Sequence, residues 1–232
     1  MPAKEDLFTP IHKALRSMIY GLSTRLQTND FANVAASTTL VTDLENNFAA
    51  ARSAGCVLCV LSQHATDEET VIFPSAARTE GGLVGQLIEE HHALTRQELA
   101  IADRAHALLK LGSADERVSA GIRLNQDANE LFAAYLAHMN REDTELVPAM
   151  QQQFTDEQLL GMRGRIIGQM PRDQLFFILG WMVSSLNVTE LSDLLATVRQ
   201  GAPPPFFQAV TDLCATKVEP ARWAEVTARI GL

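Results

Sequence analysis

The sequence predicts an all-α protein: an up-down-up-down four-helix bundle with additional short C-terminal helices. Three observations carry this. Apolar residues recur at helical spacing, and strand-like alternation is missing. Helix breakers divide roughly the first 150 residues into four long segments with short connections, for which an antiparallel bundle is the natural packing. The composition, 47% hydrophobic and 20% charged over 232 residues, is that of an ordinary globular chain with a core large enough to need no staples.

The elements follow in order. Helix one is expected over 6–26, burying Phe8, Leu15, Ile19, Leu22 and Leu26. The polar stretch 27–39 reads as a connection. Thr42-Asp43-Leu44-Glu45 has capping-box spacing and opens helix two, which Pro74 should stop near Phe73. Helix three follows Gly81-Gly82 and extends to about Leu111. Gly112-Ser113-Ala114-Asp115 breaks the pattern, and helix four then runs to Val147 before Pro148. Shorter helices fill the remainder. Thr155-x-x-Gln158 and Asn187-x-x-Glu190 are expected caps, Pro171 and Pro220 suit first turns, and Pro203-Pro204-Pro205 suits a stiff extended spacer. The Trp181, Trp223 and Phe176-Phe177 side chains should give this tail its own small core. The division is therefore 1–153, the bundle, and 154–232, a helical extension.

A net charge of −9 argues against a nucleic-acid backbone and against anionic membranes as partners. The polar start Met1-Pro2-Ala3-Lys4-Glu5-Asp6 does not resemble a signal peptide, and the apolar run from Leu175 to Val183 is too short to span a bilayer. Three cysteines, Cys56, Cys59 and Cys214, fit a reduced cytoplasmic setting, with Cys56 and Cys59 expected as small packing residues.

An internal repeat carries the chemistry. His12 and His91 each stand three residues before a leucine, Leu15 and Leu94. His64 and His138 each stand four residues before a glutamate, Glu68 and Glu142, and ten before a proline, Pro74 and Pro148. Residues four apart share a helix face, so each histidine stacks on its glutamate within an otherwise apolar stripe that includes Leu61 or Tyr135. Buried polar groups need partners, and a metal is one. In an antiparallel bundle the starts of helices one and three meet the ends of two and four, so all six groups converge. Four imidazoles and two carboxylates suit two borderline metals, with iron favoured over magnesium or calcium. His92 remains the alternative to His91, and His91 is preferred because it alone repeats the leucine spacing. Glu69 and Asp143 should point to the sides of their helices. His106 should be solvated or a cap, and Arg16 is a candidate partner for Glu98.

His12, His64-x-x-x-Glu68-Glu69, His91 and His138-x-x-x-Glu142-Asp143, with a proline after each second element, resemble the hemerythrin-like HHE cation-binding pattern over roughly residues 5–150. The resemblance implies a four-helix bundle with a binuclear non-haem iron site. It makes His12, His64, His91 and His138 terminal ligands and Glu68 and Glu142 bridges. The tail is similar to a helical extension seen in some bacterial members. Two departures stand out. Oxygen-carrying members place a further histidine where this chain has Thr95, and their last carboxylate corresponds to Asp143. Glu142 is preferred because it repeats the His64–Glu68 spacing.

No nucleotide loop, nucleophile motif or Ser/His/Asp set is present. The expected function is therefore a metal-binding protein whose two Fe ions, or another divalent metal, bind or sense oxygen, nitric oxide or redox state. The expected partners are a small gaseous or redox ligand, and a second copy or another protein through the C-terminal helices. The alternatives are a di-iron oxidase or peroxidase, or an iron-handling protein.

Overall fold

The structure, a computed structural model, describes residues 5–45 and 56–232. Among these the chain is helical and contains no strand. The Asp6 carboxylate accepts from the Phe8 and Thr9 amides and opens α1 (Thr9–Thr28), which ends two residues beyond the expected position.

The stretch expected to be a connection is itself mostly helical. Asn33 caps α2 (Val34–Leu44) through the Ala36 amide. Thr42 caps nothing; its hydroxyl, like those of Thr38 and Thr39, donates to the carbonyl four residues back. Such bonds let threonine sit inside a helix, which a polar reading of the segment misses. The expected continuation of helix two through 46–55 lies outside the described residues. The chain resumes with α3 (Val57–Asp67), capped by Cys56.

Neither Pro74 nor Pro148 ends a helix. A π-helical turn, Glu68–Ile72, follows α3 and leads directly into α4 (Phe73–Leu108). A second, Glu142–Leu146, follows α5 (Ala114–Arg141) and leads into α6 (Val147–Gln153). In the wider turns the amides of Phe73 and Val147 donate to the carbonyls of Glu68 and Glu142, five residues back. Proline lacks the amide and clashes with the α-helical carbonyl four residues back; the locally widened ladder accommodates it. The break expected near Gly81-Gly82 survives as a kink in α4, where Glu80 has φ −110° and ψ 34°.

The expected capping boxes at Thr155 and Asn187 open α7 (Asp156–Gln169) and α9 (Val188–Gly201). Between them, Pro171 caps α8 (Arg172–Ser185) rather than lying in its first turn. The three prolines form no spacer: Pro203 is a cap, and Pro204 and Pro205 begin α10 (Pro204–Lys217). Pro220 opens α11 (Pro220–Ile230) as expected.

Among the described residues, three apolar clusters organise the molecule. The largest joins α1, α2, α3, α4 and α5 through residues such as Leu15, Leu58, Ile101 and Leu131. A second lies at the π-turn end and unites Phe8, Ile72, Phe73 and Leu146 with Leu159 and Met162 of α7. A third lies within α8 to α11. The tail aromatics divide between them. Trp223, Phe206 and Phe207 pack in the third cluster, but Phe177 and Trp181 pack on the bundle core, where Ile178 is also buried. The helix α8 runs along α1, with its last residue, Ser185, donating to Ser17, and Lys13 of α1 pairs with Glu190 of α9.

Cys56 and Cys59 are bonded to each other, contrary to the expectation of two free packing residues. The first turn of α3 brings their Cα atoms to 5.3 Å, within bridging reach. The cysteine argument for a reduced setting therefore falls away. Cys214 is free and buried, and burial pushes its thiol up to about 12.

Candidate metal centre

The six expected residues meet at one place, all of them buried. His12 comes from the first turn of α1 and His91 from α4. His64 and His138 come from the last turns of α3 and α5. Glu68 and Glu142 are the first residues of the two π turns.

The six fall into two overlapping groups of four. His12, His64, Glu68 and Glu142 can surround one ion; His91, His138, Glu68 and Glu142 can surround another. The carboxylates are shared oxygen by oxygen. Glu68 turns Oε1 toward His64 Nε2 at 3.0 Å and Oε2 toward His91 Nε2 at 3.3 Å. Glu142 turns Oε2 toward His12 Nε2 and Oε1 toward His138 Nε2, both at 3.3 Å. Within each group the two imidazoles face each other through Nε2, 3.1 Å apart for His12 and His64 and 2.9 Å apart for His91 and His138.

The outward ring nitrogens explain why Nε2 is the free end. His12 Nδ1 meets Asp143 at 2.7 Å, His91 Nδ1 meets Glu69 at 2.8 Å, and His138 Nδ1 meets Glu90 at 2.7 Å. A carboxylate accepting at Nδ1 fixes the tautomer that leaves Nε2 with a lone pair, and it raises that nitrogen's basicity. Arg16 holds Asp143, and Arg141 holds Glu90. Glu69 and Asp143 thus turn sideways, as expected, but each supports a histidine of the other half of the repeat. A π turn rotates successive side chains by less than an α-helix does. Adjacent acidic residues can then serve one cluster, the first from within and the second from its flank.

The electrostatics describe a site short of positive charge. Burial, and then the charge of Glu142, push Glu68 well above the usual carboxylate range. Burial also opposes ionisation of Glu142, but its contacts with His12 and His138 overcome this and hold it below the range. Burial lowers His64 well below its ordinary value and lowers His91 as well; their histidine neighbours reinforce both shifts. Burial works against the charge on His12 and His138 too, but contacts with Asp143, Glu142 and Glu90 raise both. All four carboxylate oxygens of Glu68 and Glu142 are buried without a hydrogen-bond partner. Orphaned acceptors of this kind cost free energy unless a cation meets them. Imidazole and carboxylate donors, two of each around each position, fit a borderline divalent metal.

The other singled-out residues fall away from this centre. His92 and Thr95 are exposed, while Leu94 takes the inward position after His91. Glu98 does not meet Arg16; it accepts from the Tyr135 hydroxyl inside the bundle. His106 pairs with the buried Glu45 at 2.5 Å. Glu90 as a support was not foreseen. Its only sequence signal is its place directly before His91, which has no counterpart before His12, where Ile11 stands.

No helix among the described residues is long and apolar enough to cross a membrane. A family model, Hemerythrin HHE cation binding domain, matches residues 6–150. No curated protein matches the chain, and no solved structure does. The match covers more than half of the chain, and the chain belongs to the hemerythrin HHE cation-binding domain family.

Proposed function

From that membership we propose that residues 1–153 hold two iron ions, with His12 and His64 on one, His91 and His138 on the other, and Glu68 and Glu142 bridging both. The observation that carries this reading is the overlap of the two four-residue groups in both carboxylates. Each iron would receive two nitrogens and two oxygens from the protein, which leaves positions for an outside ligand. Two irons side by side supply reversible one-electron changes and affinity for oxygen or nitric oxide. The chain's own residues bury the site, fix the imidazole tautomers through Asp143, Glu69 and Glu90, and exclude water with Phe8, Phe73 and Leu94.

The role we infer is redox or gas response rather than oxygen storage. The residue where carriers offer a further imidazole is Thr95, and it faces outward. A site with four nitrogens leaves one more coordination position open to an outside ligand than a site with five. Stopped-flow absorption on mixing the reduced, iron-loaded protein with oxygen tests this. Rapid conversion to the ferric form is expected. A long-lived oxygenated spectrum that vanishes under vacuum, with recovery of the ferrous state, would contradict it.

A further inference from the structure

The C-terminal helices form, with the bundle, a partly open chamber of about 380 Å³. Six helices contribute walls, among them Ile11 of α1, Val60 of α3, Ile167 of α7, Leu179 of α8, Val198 of α9 and Phe206 of α10. Polar side chains gather mainly at one pole, where Gln63, His64, Asp67 and Glu68 line the chamber. The chamber thus reaches two of the six residues of the metal centre. Its size lies within the range of small-molecule sites, and its pattern is theirs: apolar walls and a few convergent polar groups.

The charges narrow the occupant. The one arginine of the lining among the described residues, Arg163, is engaged by Glu5 and by the Asp6 carbonyl. Two acidic side chains, Asp67 and Glu68, stand at the polar pole. Among the described residues no lining cation is left to pair an anionic head group, and the ferrous charge of the proposed centre is already met by Glu68, Glu142 and the outer carboxylates Glu69, Glu90 and Asp143. The walls are mostly aliphatic, so they reward flexible hydrocarbon rather than stacked rings.

We propose that this chamber binds an uncharged aliphatic molecule, with an oxygen-bearing end at the His64–Glu68 pole and its chain among α7, α8 and α9. The placement of the oxygen end rests on the metal reading above; occupancy of the chamber does not. The extension is then the wall of a ligand site that the bundle alone lacks.

Glycines provide the test. Gly164 of α7 and Gly201 of α9 line the chamber, and a Cβ at either meets nothing within 4 Å. Gly164→Trp and Gly201→Trp therefore add bulk without backbone strain. All three glycines are exposed, and Gly85→Trp, on α4 and outside the lining, is the control. Titration calorimetry of the iron-loaded full chain with 1-hexanol, 1-heptanol and 1-octanol should show one site per chain. Affinity should rise about fourfold with each added methylene. Each chamber variant should bind at least tenfold more weakly with helicity and metal content unchanged, and Gly85→Trp should bind as the parent does. Absence of saturable binding, or parent-like binding by both chamber variants, overturns the proposal. Tighter binding of the alkanoate or alkylamine of equal length overturns the uncharged class. Metal analysis of the same samples separates the two readings. Two irons without alkanol binding removes the chamber alone; alkanol binding without metal uptake removes the metal centre alone.

Discussion

The two halves of the repeat bring equivalent candidate ligands to one centre but surround them differently. In the second half, Glu98, two turns beyond His91, and Tyr135, one turn before His138, are buried and hydrogen-bonded to each other. At the matching positions of the first half, seven residues after His12 and three before His64, stand Ile19 and Leu61, both buried. The first half in turn faces the chamber through His64 and Glu68, and its helix α3 begins with a disulfide. The corresponding positions of α5 are Glu130 and Ala133. The duplicated pattern therefore fixes the candidate ligands, whereas residues free of the pattern make the two proposed metal positions inequivalent. One has an apolar approach, and the other a polar layer behind it.

The largest expected effect breaks the sharing itself. Glu68→Ala or Glu142→Ala removes a donor from both positions, and bound iron should fall from two toward none. His64→Ala or His138→Ala touches one position, and iron should fall toward one. Equal losses for all four variants, measured by elemental analysis, would mean that the carboxylates are not shared.

The cross-supports come next. Asp143→Asn and Glu69→Gln should each weaken metal binding by roughly 10- to 100-fold, as outer carboxylate partners of ligating histidines generally do. Asp143 is also held by Arg16 and is less exposed than Glu69, 25% against 37%, so its loss should cost more. Competition with a chelator of known affinity would reveal the order. A larger cost at Glu69 would mean that the arginine contributes no ordering.

The polar layer predicts a dependence on pH. Burial pushes Glu98 up to about 7, only partly offset by the hydroxyl of Tyr135. The folded chain thus holds this proton more tightly than the unfolded chain does. Its stability is intact below the ordinary value of 4.5 and declines as the pH rises to about 7. Glu98→Gln should relieve this and stabilise the protein by on the order of 3 kcal/mol at pH 8, with little change at pH 4. Urea midpoints at the two pH values measure it, and an equal shift at both would assign the effect to packing.

The disulfide gives the smallest signal. Thiol titration in denaturant without reductant should find one reactive thiol per chain, that of Cys214. Three would show that the first half lacks its bond.

Much of this was legible in the sequence, for reasons particular residues make clear. His12, His64, Glu68 and their repeats could be read because helical spacing converts sequence separation into a shared face. The bundle's long helices followed from the same periodicity. The π turns could not be read, because Pro74 and Pro148 look like stops until a widened ladder is allowed for. The helix α2 was hidden by threonines whose hydroxyls bond back to the helix. Glu90, the Cys56–Cys59 bond and the chamber arise from how helices are placed in space, which periodicity does not encode.

Metal stoichiometry tests the central claim most directly. The full chain, loaded anaerobically with ferrous iron and freed of excess, should carry two irons by elemental analysis. A plateau at one, or zinc retained against excess iron, would contradict the binuclear iron centre built on Glu68 and Glu142.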